Sequence, residues 1–290
     1  MNGLLNQLFS GLVSGAIYGL MALALVMIYQ ASRHINFAQG EMATFSTLFA
    51  WWLMAAGFSY FAAFALTLIA SFVGGVVIQR FVLRAFDRST DLTNVVVFVA
   101  LMVIFNAMSG WIFGHEVKTF PSPFPKDAWY ASRWLPAHGV GALAVLSAIV
   151  VALYLFLGRS RVGLAMRAAA YNPASARAVG IRVPWMLGLG WGLAASIGAT
   201  AGMLIAPIVF LDTHMMSGVL LYAFAGALLG GIDSPWGAVA GGLLVGLVEN
   251  LLGAYVIGTD LKLTFALILI VATLILRPGG LFGKAIRSRV

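Results

Sequence analysis

Residues 8–29 read LFSGLVSGAIYGLMALALVMIY, a stretch without one charged side chain. A bilayer's hydrocarbon core is about 30 Å thick, and a helix needs roughly 20 apolar residues to cross it. This stretch has that length. A secretory leader opens with a basic region and has a short apolar one. Here Met1 to Phe9 carries no side-chain charge, and the apolar run continues past Ala22-Leu23-Ala24, which imitates a cleavage site. The expectation is a retained first membrane helix.

The same composition continues along the chain. Of 290 residues, 62% are apolar and 9% charged, against about 25% charged in a typical soluble domain. A soluble globule could not cover its surface with so few charges, and the mean hydropathy is +1.00. The fold class expected is all-α: a polytopic membrane helix bundle with eight or nine membrane segments, forming a single transmembrane domain over residues 1–290. The pattern places helices near 8–29, 40–56, 60–83, 92–114, 140–157, 185–207, 218–231, 236–256 and 263–276. Two of these are short and entered through glycine, after Gly40 and from Gly218. The second reads as a half-helix or re-entrant segment as readily as a full crossing.

Lysine and arginine set the orientation. Arg33, Arg80, Arg84, Arg88, Arg159, Arg161, Arg167, Arg177, Arg182, Arg277, Lys284, Arg287 and Arg289 fall on one side if nine segments alternate. Lys118, Lys126, Arg133 and Lys262 fall on the other. The positive-inside rule then puts the tail in the cytoplasm and the N-terminus outside, as in a bacterial inner membrane. The net charge of +8 is spent flanking apolar segments, which argues against nucleic-acid binding.

Catalysis finds little support. Cysteine is absent, and His34, His115, His138 and His214 lack metal-ligand spacing, so no metal and no cofactor in this chain are expected. Gly283-Lys284-Ala285 imitates a phosphate loop but lacks the earlier glycine and the following Ser or Thr. The chain reads as no enzyme. A membrane-embedded enzyme using Glu41 or Glu249 is the rival, and turnover by the purified chain alone would be its sign.

Polar residues inside apolar stretches are the informative ones. Asn36, Gln39 and Glu41 lie between the first two helices, and Glu249 and Asn250 lie deep in segment 236–256. A carboxylate there costs several kcal/mol unless it is paired or faces water. These five mark either a translocation pathway or gate, or a hydrogen-bond lock between helices. Glycines spaced by four, such as Gly11, Gly15 and Gly19 or Gly242 and Gly246, allow close helix approach. The outer loop 115–139, with Pro121, Pro123, Pro125, Trp129, Tyr130 and Trp134, reads as an interfacial aromatic belt or as a docking surface.

The loop 158–184 shows capping grammar. Ser160 to Ala170 is helix-prone. Asn172 reads as an N-cap with Pro173 at the first helical position, and Gly180 as the residue that ends a second short helix. The expectation is a helix-turn-helix whose alanine faces fit a groove in a partner; a solvated linker is the alternative.

At these residues the chain resembles LivH-type permease subunits of branched-chain amino acid ABC importers. Ile35-Asn36-Phe37-Ala38-Gln39-Gly40-Glu41 is similar to that family's signature after the first helix. Ser160-Arg161-Val162-Gly163, Arg167-Ala168 and Gly180-Ile181 are similar to its cytoplasmic coupling loop. Gly230-Gly231-Ile232, Ser234-Pro235-Trp236-Gly237-Ala238, Gly241-Gly242 and the ending Arg277-Pro278-Gly279-Gly280-Leu281-Phe282-Gly283 complete the resemblance over nearly the whole chain. It implies inward transport by alternating access, with Arg161, Gly163, Arg167, Ala168, Asn172 and Gly180 coupling to an ATPase. It also implies the partners: a second homologous permease, two cytoplasmic ATPase subunits that bind the ATP, and an external solute-binding protein. Gln39 stands where that family commonly has histidine, and Asp233 where it commonly has glycine. These departures leave the solute open among aliphatic amino acids, urea, short amides and aromatic acids. An ion-gradient-driven secondary transporter or channel is the alternative; its uptake would survive ATP depletion.

Overall fold

The computed structural model describes residues 2–283 except 87, 88, 126, 127, 129, 133, 257 and 259. Arg88, Lys126, Trp129, Arg133, Lys284, Ala285, Arg287 and Arg289 therefore lie outside the described residues. The elements are α1 (Asn2–Ser32), α2 (Gln39–Ala55), α3 (Tyr60–Val77), α4 (Asp91–Phe113), α5 (Ala137–Arg159), α6 (Arg161–Tyr171), α7 (Pro173–Ala178), α8 (Val183–Val209), α9 (Met216–Gly230), α10 (Pro235–Tyr255) and α11 (Lys262–Leu276). A π turn at Ile78–Val82 and a 3-10 turn at Leu83–Phe86 continue α3. The chain is all-α.

Among the described residues six helices are long and apolar enough to cross a membrane: α1, α3 with its two turns, α4, α5, α8 and α10. Helices α9 and α11 are apolar and shorter, at 15 residues each, or about 22 Å. Helix α2 has 17 residues. Each expected segment finds its helix, and the ends differ by a few residues. Helix α1 extends the apolar stretch at both ends, because no breaker intervenes between Asn2 and Ser32. It stops at Arg33, whose φ is +60°.

The chain divides into two compact units. One comprises the described residues of 27–120 and 148–216, and helix α8 is its centre. Helices α2, α3 and α6 pack on α8, and α2 also meets α3 and α4. Small polar side chains pin these contacts: Ser196 donates to the Leu68 carbonyl oxygen at 3.0 Å, and Ser71 to Ser46 at 2.8 Å. The outward rows of α3 and α4 carry Phe61, Ile69, Val103 and Trp111, all exposed. Hydrocarbon, not water, suits such a surface.

The other unit comprises the described residues of 1–26, 121–147 and 217–290. Here the glycine rows find their partners. A Cβ added at Gly15 would lie 2.8 Å from the Leu243 Cα, and one at Gly11 would lie 2.9 Å from the Leu247 Cα. Thus α1 and α10 touch backbone to backbone, the close approach that small residues permit. Gly226 and Gly230 of α9 meet Gly242 and Gly237 of α10 in the same way. The tail then closes the end of α9. Leu281 and Phe282 donate backbone N–H to the carbonyls of Leu229 and Gly230 at 2.8 and 3.0 Å. These are terminal carbonyls that the helix itself leaves without partners. Gly231 (φ +109°) and Gly280 (φ +72°) supply the left-handed turns this path requires.

Candidate functional site

The residues expected to carry function fall in three places. Two are buried polar clusters and one is the α6–α7 element.

The first cluster surrounds the start of α2. Asn36 makes an Asx turn, its Oδ1 accepting from the Ala38 N–H at 3.0 Å. Its Nδ2 donates to Gln39 Oε1 at 3.3 Å, and Gln39 Nε2 donates to the Ala194 carbonyl oxygen of α8 at 3.1 Å. Both side chains are fully buried. Gly198 makes room for this bridge, since a Cβ there would collide with the Gln39 amide nitrogen. Glu41 looks elsewhere. Its Oε2 accepts from Asn106 Nδ2 of α4 at 3.1 Å, and the same amide donates to the Thr213 carbonyl oxygen at 3.1 Å. Its place in the first turn of α2 also sets the carboxylate against the positive helix end.

The second cluster belongs to the other unit. Glu249 is 4% exposed. Its Oε1 lies 2.9 Å from Lys262 Nζ at the start of α11. Its Oε2 accepts from the Tyr18 hydroxyl of α1 at 3.3 Å and from Asn250 Nδ2 at 3.4 Å. Asn250 also donates to the Gly246 carbonyl oxygen at 3.1 Å. Tyr18 stacks on Tyr222 of α9, ring centroids 4.9 Å apart. One carboxylate therefore ties together α1, α10 and α11.

The structure thus joins Asn36 to Gln39 and Glu249 to Asn250, and gives Glu41 partners of its own. Sequence reading missed Lys262, Tyr18, Asn106 and Thr213. Asn106 was findable as a lone amide in an apolar run. In the sequence Lys262 stands only as one more flanking charge.

The α6–α7 element has the expected capping. Ser160 Oγ accepts from the Gly163 N–H at 2.9 Å. Asn172 Oδ1 accepts from Ala174 and Ser175 N–H at 3.1 and 3.0 Å, with Pro173 following. Gly180 has φ +83°. Its N–H donates to the Arg177 carbonyl and that of Ile181 to the Ala176 carbonyl, each at 3.0 Å. This is the Schellman pattern of a helix end. Gly163 lies on the end of α5, where a Cβ would come 2.6 Å from the Leu157 Cα. One expectation is corrected here. The alanines do not all face outward: Ala169 and Ala176 are buried with Val183, against Ile181, Met186 and Leu187. The exposed face instead carries Leu164, Tyr171 and Val179, with Arg161, Arg167, Asn172 and Arg177 also exposed and Ala168 half-buried. Short alanines turn inward because they let α6 and α7 lie close to α8.

A cavity of about 400 Å³ opens among α2, α3 and α4, walled by Phe45, Phe49, Trp52, Phe105 and Phe113, and none of the five pathway candidates lines it. Among the described residues no His, Cys, Asp or Glu group is placed to hold a metal ion.

Residues 7–274 match the model of a family described as "Branched-chain amino acid transport system / permease component". The chain is 27% identical over 303 residues to the high-affinity branched-chain amino acid transport system permease protein LivH of Escherichia coli (strain K12), covering 97% of this chain and 96% of that one. It is 27% identical over 297 residues to the corresponding permease protein BraD of Pseudomonas aeruginosa, with the same coverage. The LivH protein of Salmonella typhimurium is 26% identical over 300 residues, again at 97% and 96% coverage.

Proposed function

This chain belongs to the permease-component family of branched-chain amino acid transport systems, and from that premise we propose that it is the membrane permease subunit of an ATP-driven importer. In this reading it moves branched-chain amino acids, or a related small polar solute, inward by alternating access. The chain works as one permease domain in a bacterial inner membrane, N-terminus outside and C-terminus in the cytoplasm. A second homologous permease completes the pathway, an external solute-binding protein delivers the solute, and two cytoplasmic ATPases bind the ATP.

The observation that carries this reading is the α6–α7 element. Its inner face is a set of small residues packed on its own unit, and its outer face combines exposed Leu164, Tyr171 and Val179 with three arginines. Such a face is matched to a partner with an apolar groove and acidic rim. Arg161, Gly163, Arg167, Ala168, Asn172 and Gly180 build or present it. A push on it passes into α8, on which α6 and α7 both lie. The buried polar residues Asn36, Gln39, Glu41 and Glu249, with half-buried Asn250, are assigned to the pathway or its gate, as the hydrogen bonds that rigid-body rocking would exchange.

The test is reconstitution. Membranes carrying the chain are solubilised, co-eluting ATPases are identified, and leucine uptake into proteoliposomes is followed with and without ATP. ATP-dependent uptake through a complex with two ATPase subunits supports the proposal. Uptake that survives ATP depletion and collapses with an uncoupler would replace it with a secondary transporter.

A further inference from the structure

A second cavity, of about 140 Å³, lies within the unit that holds α2 and α8, where Ser32, the π turn, α4 and α8 converge. Its lining is unlike that of the larger apolar cavity. Phe98 and Trp191 form one wall, stacked at 9° with centroids 6.0 Å apart, and both are buried. Leu187 adds to it, while Gln79, His34 and Asn94 bring polar atoms. No Lys, Arg, Asp or Glu lines the cavity among the described residues.

The polar groups differ in what they have left to offer. His34 is engaged. Its Nδ1 donates to the Ser32 carbonyl oxygen at 2.6 Å, and its Nε2 lies 3.2 Å from Asn94 Nδ2. Exposed Asp91 lies 3.3 Å from that same nitrogen. Asn94 Oδ1 accepts from Ser89 Oγ at 3.1 Å. Gln79 is the exception: 5% exposed, it makes no side-chain hydrogen bond among the described residues. Its amide is not sealed in protein but faces the cavity, where a donor and an acceptor stand ready for an occupant.

Two backbone features accompany it. Gln79 sits in the π turn Ile78–Val82, a widened helical turn often found at functional sites. Arg33, between Ser32 and His34, has φ +60°, a left-handed conformation unfavourable for a residue with a Cβ. Both irregularities border the same cavity.

We propose that this cavity binds a small uncharged amide, its donor and acceptor pairing with the Gln79 side chain and its apolar body lying against Trp191, Phe98 and Leu187. The size agrees: an engineered cavity of about 150 Å³ accommodates benzene, and isobutyramide is comparably small. The head group follows from Gln79, which presents a donor and an acceptor side by side. The absence of charge follows from the lining, which has no Lys, Arg, Asp or Glu among the described residues, while His34 is already engaged with Ser32, Asn94 and Asp91. This site is independent of the transport reading.

The experiment is calorimetric titration of the purified full-length chain with isobutyramide, valine and isobutyrate. Isobutyramide binds, and Gln79→Leu weakens it by about tenfold while helicity and thermal unfolding stay near those of the parent. Gln79→Asn keeps the amide with a shorter reach and is intermediate; it serves as the test if the leucine variant fails to fold. No isobutyramide binding, which means a cavity filled by water, overturns the proposal. So does binding unchanged in the Gln79 variant tested, or tighter binding of valine or isobutyrate.

Discussion

Lys262 Nζ lies 2.9 Å from Glu249 Oε1, and this ion pair joins the start of α11 to the interior of α10. The Glu249 side chain is 5% exposed and that of Lys262 24%. Removing one partner leaves the other charge in a poorly solvated place. Lys262→Met is expected to destabilise by about 3 kcal/mol, at the low end for broken buried pairs because Lys262 keeps some exposure. The double variant Glu249→Gln with Lys262→Met leaves no orphan charge and recovers most of the loss. Thermal unfolding in detergent compares the two.

The glycine row on α1 predicts a position-specific cost. A Cβ at Gly15 would lie 2.8 Å from both the Cα and the carbonyl oxygen of Leu243. Backbone cannot rotate away as a side chain can, so Gly15→Ala should cost about 1–3 kcal/mol through overpacking. Gly74 of α3 is the control, with nothing within 4 Å of its added Cβ. There the same change removes a helix-weakening glycine and should be neutral, or stabilising by up to about 1 kcal/mol. Melting curves of both variants decide between general glycine flexibility and close helix contact.

The Gln39 bridge makes a third prediction. Gln39→Leu keeps the volume and removes the bonds to Asn36 and to the Ala194 carbonyl. Asn36 Nδ2 keeps Met42 Sδ at 3.6 Å and the Ala194 carbonyl keeps its place in the α8 helix, so the loss is about 0.5–1.5 kcal/mol per bond. Gly198→Ala forces the same amide aside from the α8 side and should also destabilise. The two changes together should cost less than their sum, because they act on one contact. Additive losses in a double-mutant cycle would show the bridge to be unimportant.

These examples also show what was legible beforehand. The apolar segments were, because hydropathy is a local property: residues 218–231 were expected as a short helix, and α9 is Met216–Gly230. The caps at Ser160 and Asn172 were too, since a cap and its N–H partners lie within three residues of each other. Pairings across the fold were not. Gln39 bonds a backbone carbonyl 155 residues away, and every residue has a carbonyl, so no side chain marks the partner. Lys262 pairs with Glu249 only because α10 and α11 fold back on each other. The glycine rows announced tight packing without saying which helix would face them. Gln79 is illegible for a different reason: its interest lies in the cavity it lines, which exists only once α3, α4 and α8 are packed together.

The α6–α7 element allows its docking role to be separated from folding. Tyr171 is 81% exposed, so Tyr171→Ser should change stability by less than about 0.5 kcal/mol. Asn172→Ala removes the acceptor for two N–H groups of α7 and should cost about 1 kcal/mol. Arg167→Glu reverses a charge on the exposed face, where Arg167 also borders a small cleft with Leu157 and Met186. If the outer face couples to an ATPase, Tyr171→Ser and Arg167→Glu lower ATP-driven uptake several-fold while melting with the parent. Their ATPase activity in the reconstituted complex then no longer responds to solute. Normal uptake in both variants would remove the coupling assignment and leave α6 and α7 as a structural brace on α8. Gly163→Pro is the companion. It deletes the N–H that Ser160 caps and sets atoms against the end of α5, so it should lose both stability and uptake. Only the pattern across all of these variants, with function lost where stability is kept, identifies the face as a partner's seat.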